Sequence, residues 1–170
     1  MVLGTTLRKA ERDEARRLAT LAFDAWDTSI RPLLPDSPNM RERERLRQRA
    51  YTERAINNIL VATTGNQLLG WIARTPGSIY IPYLMVAPEV QGQGIGTLLL
   101  HRTEALMELE GLDRVMLDTP ADNVRAVQFY FSQGYHILAH APGSAAARGL
   151  EGIRLEKRLN PFIGTIADHD

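Results

Sequence analysis

The stretch LMVAPEVQGQGIGT, residues 84–97, sets glycine at every second position, Gly92, Gly94 and Gly96, between an apolar run and a helical pattern. Glycine inside an element is unfavourable by about 0.5–1 kcal/mol relative to alanine, so three together mark backbone that turns sharply or is closely approached. A strand that feeds a helix through such a loop makes an anion site. The first helical turn has N–H groups without carbonyl partners, the helix dipole is positive there, and glycines let phosphate oxygens reach the main chain. A phosphate-bearing cofactor follows, with a plain glycine-rich turn as the alternative. Two nucleotide motifs do not fit. A P-loop needs Lys before the Ser/Thr, and Gly96 runs directly into Thr97; a dinucleotide fingerprint needs glycine where Thr97 stands.

The rest of the chain limits what this loop belongs to. Its 170 residues suit one domain with a sizeable core. Residues 1–160 are expected to form that domain and 161–170 a C-terminal tail. Hydrophobic residues at 44% and charged residues at 24% are ordinary for a soluble protein, and no apolar run nears the roughly 20 residues of a membrane span. The start lacks a signal-peptide succession, so a cytoplasmic location is expected. Cysteine is absent, which removes disulfides, thiolate metal sites and a cysteinyl acyl-enzyme. Twenty basic and twenty acidic residues cancel, so no overall field favours nucleic acid or membrane, and neither is expected as a partner.

Periodicity predicts a short strand in TTLRKA, a helix with Leu18, Ala19, Ala22 and Trp26 on one face, a proline-rich loop, and an arginine-rich helix. Three strands in a meander follow: ILVATT, QLLGWIAR and IYIPYLMVAP. Beyond the glycine loop come a helix ended by Gly111, strand RVMLDT, helix NVRAVQFYFSQ ended by Gly134, strand YHILAHA, a Gly/Ala-rich loop and strand GIRLEKRL.

The strand and loop around Gln91, Gly94 and Gly96 resemble the pyrophosphate signature of the GNAT superfamily of N-acetyltransferases, Gln/Arg-x-x-Gly-x-Gly/Ala. Some thirty residues on, NVRAVQFYFSQGY resembles that family's second signature, with Asn123, Ala126, Phe129, Tyr130, Gly134 and Tyr135 in place. The resemblance covers nearly the whole chain. It implies an α/β (α+β) GNAT fold: a mixed, mostly antiparallel central sheet of about seven strands flanked by about four helices, splayed between the fourth and fifth strands. It also implies acetyl-CoA as cosubstrate, an amine acceptor and no metal. Leu84, Met85 and Val86 then pair with the pantetheine arm as an added strand does, which Pro82 supports, since proline is tolerated where its missing N–H is not needed. Amides of Gln91, Gly92, Gln93, Gly94, Ile95, Gly96 and Thr97 hold the pyrophosphate, Asn123 bonds the pantetheine arm, and the Val86 N–H meets the developing oxyanion. Tyr130 protonates or hydrogen-bonds the departing sulfur, with a core aromatic as the alternative.

A protonated primary amine must lose a proton before it attacks a thioester. Many relatives carry a Glu where this chain has Tyr80, which leaves Asp118 as the nearest substitute, with Glu151 and bound water behind it and a strand-end turn former as the plain reading of Asp118. Trp26, Tyr51, Tyr80 and Tyr83 are read either as pocket lining or as core. The stretch RERERLRQRAYTER, with six arginines and three glutamates, reads as a solvated helix with ion pairs. His136 and His140, four apart on one strand, are expected to face the same side in a structural role. Phe162, Ile163 and Ile166 of the tail either dock on a neighbour, as in a homodimer, or fray. A non-catalytic acyl-CoA-binding module on the same fold is the alternative to an enzyme.

Overall fold

A computed structural model of the chain describes residues 2–142 and 149–161. Residues 143–148 of the Gly/Ala-rich loop lie outside the described residues, as do Phe162, Ile163 and Ile166. The elements run β1 (Thr6–Lys9), α1 (Ala15–Ser29), α2 (Met40–Ala55), β2 (Ile59–Thr64), β3 (Gln67–Ala73), β4 (Tyr83–Val86), α3 (Ile95–Leu109), β5 (Arg114–Pro120), α4 (Val124–Ser132), β6 (His136–Pro142) and β7 (Glu151–Arg158). The expected class holds: among the described residues there are seven strands and four α-helices, and the ladders are antiparallel.

The strands form two sheets, β1-β2-β3-β4 and β5-β7-β6. They touch through one isolated parallel bridge between Tyr80 and Met116. The Ile81 N–H donates to the Met116 carbonyl at 2.9 Å, and the Met116 N–H to the Ile79 carbonyl at 2.8 Å. The stretch IYIPYLMVAP is therefore not one strand, as its composition suggests. Its first half leans on β5, its second half is β4 and pairs with β3 from Ala73↔Tyr83 to Gly70↔Val86, and Pro82 sits between the two. A prolyl nitrogen donates to neither neighbour, so the chain changes partners there without a broken hydrogen bond.

The apolar periodicity of α1 drives the core: Leu18, Leu21 and Ala22 are buried against Val61, Leu69 and Trp71. The Trp71 indole N–H donates to the Leu18 carbonyl at 3.0 Å, which satisfies its one polar group in the interior. On the opposite face α3 buries Ile95, Leu99, Leu100 and Met107. It approaches so closely that a Cβ on Gly70 of β3 would stand 3.2 Å from both Ile95 and Leu99 and 2.7 Å from the Met85 carbonyl. Helix α3 is also fastened to the second sheet. Glu104 accepts from the Tyr135 hydroxyl at 2.7 Å and from the Lys157 ammonium at 2.8 Å.

Helix α2 keeps its arginines at home, as its charge pattern suggests. Arg41 pairs with Asp27 at 2.9 Å, Arg49 with Glu53 at 3.5 Å, and Arg45 lies over the Phe23 ring. The two histidines of β6 depart from expectation. A bulge between Ile137 and Ala139 pairs His136 with Glu156 but His140 with Ile153, three residues apart on β7, so the two imidazoles lie on opposite faces.

Glu14, just before α1, ties that helix to β1. Both Arg8 guanidinium nitrogens donate to its carboxylate, at 2.7 and 2.8 Å, and the Glu11 N–H adds a third bond at 2.8 Å. The hydrogen bonds from Arg8, outweighing burial, hold the Glu14 carboxyl at about 2, below its ordinary 4.5. A depressed carboxyl contributes stability that is complete above the ordinary value and is lost as pH falls through the folded one. Glu14→Gln is expected to lower stability at pH 7 by about 1.5–3 kcal/mol, the range for hydrogen bonds to charged groups. In thermal melts the gap to the parent chain should narrow steadily from about pH 4.5 towards pH 2; a gap independent of pH would contradict this account.

Candidate active site

Above the Tyr80–Met116 bridge β4 and β5 diverge and enclose a cavity of about 680 Å³. One wall is the open edge of β4. Its orientation follows from the ladder with β3: the Ala87 N–H donates to the Leu69 carbonyl at 2.9 Å, so the alternate residues Leu84 and Val86 turn their N–H groups away from β3. With β5 departing, that edge has no strand partner among the described residues. The Val86 carbonyl on the same edge accepts from the Gln91 side chain at 3.1 Å, so Gln91 braces the end of β4.

The glycine loop closes the next side. Gly92 and Gly94 take left-handed backbone conformations, φ 78° and 89°, which only glycine adopts at low cost, and Gly94 is the residue from which α3 starts. The N–H groups of Ile95, Gly96 and Thr97 lie in the first helical turn and have no helical carbonyl to meet. Gly96 is needed for a different reason: a Cβ there would stand 3.3 Å from Phe129 of α4 and 3.6 Å from Val86. Among the residues expected to hold the cofactor, Leu84, Met85, Val86, Gln91, Gly92, Gly94, Gly96, Thr97, Asn123 and Tyr130 all line the cavity. Gln93 is exposed beside it and Ile95 points into the core, so those two present backbone only.

Helix α4 forms a further wall. Asn123 caps it, its Oδ1 accepting from the Ala126 N–H at 3.4 Å, which leaves the side-chain NH₂ to donate. Tyr130, one wall of the cavity, packs edge-on against Phe129 and Tyr135. Burial first, then Tyr80 nearby, raises its hydroxyl above the ordinary tyrosine value, so it carries its proton at neutral pH and acts as a donor. Arg125 was not singled out in the sequence. Its Nη2 lies 3.4 Å from where a Gly92 Cβ would be, which puts a guanidinium beside the glycine loop. Its only sequence signal is a position two residues after Asn123.

At the floor of the cleft stands Asp118 of β5, and it is fully engaged. Its Oδ1 accepts from Arg154 Nε at 2.8 Å, and its Oδ2 accepts from Arg154 Nη2 at 3.0 Å and from the Tyr80 hydroxyl at 3.1 Å. Burial first, then the Asp118 charge, pushes the Tyr80 hydroxyl up to about 12. The two-pronged ion pair and the tyrosine bond make Asp118 an anchor for Tyr80 and Arg154. Glu151, the other carboxylate considered, opens β7 opposite Pro142 and does not line the cavity. Of the four aromatics, Trp26 and Tyr83 reach the cavity, whereas Tyr51 packs between Trp71 and Tyr83 and Tyr80 turns to Asp118.

The model of the Acetyltransferase (GNAT) family matches residues 13–135. The uncharacterized protein YdhI of Bacillus subtilis (strain 168) is 25% identical over 114 residues, which span 67% of this chain and 66% of that protein's length. PaiA N-acetyltransferase from Thermoplasma acidophilum, solved in complex with coenzyme A, superposes with a TM-score of 0.77 at 19% identity, over 92% of this chain and 99% of its own. YncA from Salmonella typhimurium, solved with acetyl-CoA, gives 0.66 at 17% identity, over 96% and 99%. At these identities the likeness is one of fold.

The Asp118–Arg154 pair predicts a coupled loss of stability. Arg154→Met strands a mostly buried carboxylate and is expected to cost about 1.5–3 kcal/mol in denaturant unfolding. Asp118→Asn combined with Arg154→Met should cost clearly less than the two single losses added together. Strict additivity would show that the pair contributes nothing.

Proposed function

Because the chain belongs to the acetyltransferase (GNAT) family, we propose that it moves the acetyl group of acetyl-CoA onto a primary amine by direct attack in a ternary complex, within one catalytic domain of residues 1–160. One observation carries this reading: an unpaired strand edge, Leu84 to Val86, runs straight into a glycine loop at a helix N-terminus. An extended pantetheine arm fits the first and a diphosphate the second.

The residues divide the work as follows. The outward-facing backbone groups of Leu84 and Val86 receive the pantetheine amides, while those of Met85 are spent on β3, and the Asn123 NH₂ group bonds the same arm. Amides from Gln91 to Thr97 take the pyrophosphate, and Arg125 supplies the positive charge that the neutral, inward-braced Gln91 does not. When the amine nitrogen attacks, a C–N bond forms and negative charge gathers on the thioester oxygen; the Val86 N–H, which faces away from β3, is the donor offered to it. The intermediate collapses with cleavage of the C–S bond. The sulfur leaves as thiolate, hydrogen-bonded by the protonated Tyr130 hydroxyl, and the amine's proton passes to solvent. Tyr130 favours an enzyme over a passive acyl-CoA-binding module, since binding the phosphates alone asks for no donor at the sulfur end.

The test is release of free thiol from acetyl-CoA in the presence of a panel of amines. Tyr130→Phe is expected to lower kcat about 10- to 100-fold, at the lower end of what a positioned proton donor provides or just below it. Stabilisation by CoA in thermal melts with no thiol release from any amine would favour the binding module. Arg125→Ala should raise KM for acetyl-CoA about tenfold, worth one lost charged hydrogen bond, with kcat nearly unchanged. An unchanged KM would remove Arg125 from the cofactor site.

A further inference from the structure

The cleft has to provide a neutral amine, and its walls say where the proton is lost. The ionisable side chains lining the cavity, among the described residues, are Tyr83, Asp118, Arg125 and Tyr130. Arg125 is a permanent cation. Asp118 spends Oδ1 on Arg154 and Oδ2 on Arg154 and Tyr80. Around it stand Arg154 from β7 and Tyr80 from the segment before β4; beyond Tyr80 lie the hydroxyls of Tyr51 from α2, Tyr83 from β4 and Tyr130 from α4. Behind Tyr83, Glu44 of α2 is itself tied to Arg47 and Gln48. Burial raises the hydroxyls of Tyr83 and Tyr130, so both keep their protons at neutral pH and neither takes one from an incoming ammonium.

The acceptor end of the cavity points the same way by its polarity. Trp26 of α1 and Ile30 just after it, Ile81 and Pro82 at the parting of the strands, and Leu117 of β5 form apolar walls there. An ammonium entering between them gives up its hydration and meets only a carboxylate already ion-paired to Arg154; a neutral amine loses far less.

We propose, building on acetyl transfer as read above, that the acceptor is an α-amino group, an amine that titrates near neutrality and enters the cleft already deprotonated. Magnitudes decide between amine classes. With an ordinary pKa of about 7.7–8.0 an α-amine is neutral in about one molecule in six to eleven at pH 7, whereas a lysine ε-amine at about 10.4 is neutral in about one in 2,500. A cleft that accepts only the neutral form therefore discriminates between them by about 230- to 420-fold before any contact with the remainder of the acceptor. No balancing base is required: the ammonium loses its proton to water before binding, and the second proton leaves the nitrogen after the C–N bond has formed.

The experiment uses the full chain, acetyl-CoA and thiol release, with kcat/KM measured from pH 6 to 10 for three acceptors. These are a lysine-free peptide with a free N-terminus, the amide of a single amino acid, and an N-terminally blocked peptide carrying one lysine. The α-amines are expected to exceed the lysine peptide at least 100-fold at pH 7. Each profile should rise tenfold per pH unit and level off at the acceptor's own pKa, shifting when the acceptor is exchanged. Preference for the peptide identifies a chain N-terminus as the source and preference for the amino-acid amide identifies a small molecule; both uphold the α-amine. A lysine peptide used within tenfold of the α-amines at pH 7, or a profile already flat below pH 7.5, would overturn the proposal, since the protein would then be supplying a base. Absence of thiol release with all three, while another amine of the panel releases thiol, would overturn the α-amine proposal; absence with every amine of the panel would instead overturn acetyl transfer itself.

Discussion

Two backbone hydrogen bonds, from Ile81 to Met116 and from Met116 to Ile79, join sheets that otherwise go separate ways. Everything at the cleft depends on where that seam stops. Below it the strands share hydrogen bonds; above it, past Pro82, β4 turns wholly to β3 and β5 wholly to β7. The unpaired N–H groups of Leu84 and Val86 exist because the seam is short. A longer seam would fill the edge with β5 and leave no cleft; none at all would separate β4 from Asp118 and its partners on the far side.

Across the cleft the second fastening is α3. Its first turn lies against the glycine loop, while Glu104, halfway along, is bonded to Tyr135 and Lys157 of the other sheet. One helix thereby spans both halves, packed so tightly on Gly70 that β3 and α3 leave no space for a methyl group. The loop geometry at Gly92 and Gly94 is thus held by a rigid element and does not rest on its own few contacts.

Much of this is legible in the amino-acid order. The glycine loop, the helix it opens and the Asn123–Tyr130 helix were each visible from local spacing, because turn chemistry and helical period act over a few residues. Strand boundaries near Pro82 were not. A run as β-prone as IYIPYLMV reads as one strand until the partners of each half are known, and partners are not a local property. Strict alternation sets the histidines of β6 on one face for the same reason, since a one-residue bulge reverses the alternation and leaves no mark in composition. Asp118 looked available because Arg154 lies 36 residues away and meets it only when β5 and β7 pair. Arg125 was hidden in plain view beside Asn123, its role set by the loop it faces across space.

An open strand edge is ordinarily a hazard, because any passing chain can add to it. Here the edge of β4 lines a slot between α1, the glycine loop and α4. A single slender thread fits that slot, and a neighbouring sheet, with strands and side chains on both sides, does not. The geometry that leaves the hydrogen-bonding groups vacant thereby rations access to them, and the protein keeps a sticky surface without the risk of clumping through it.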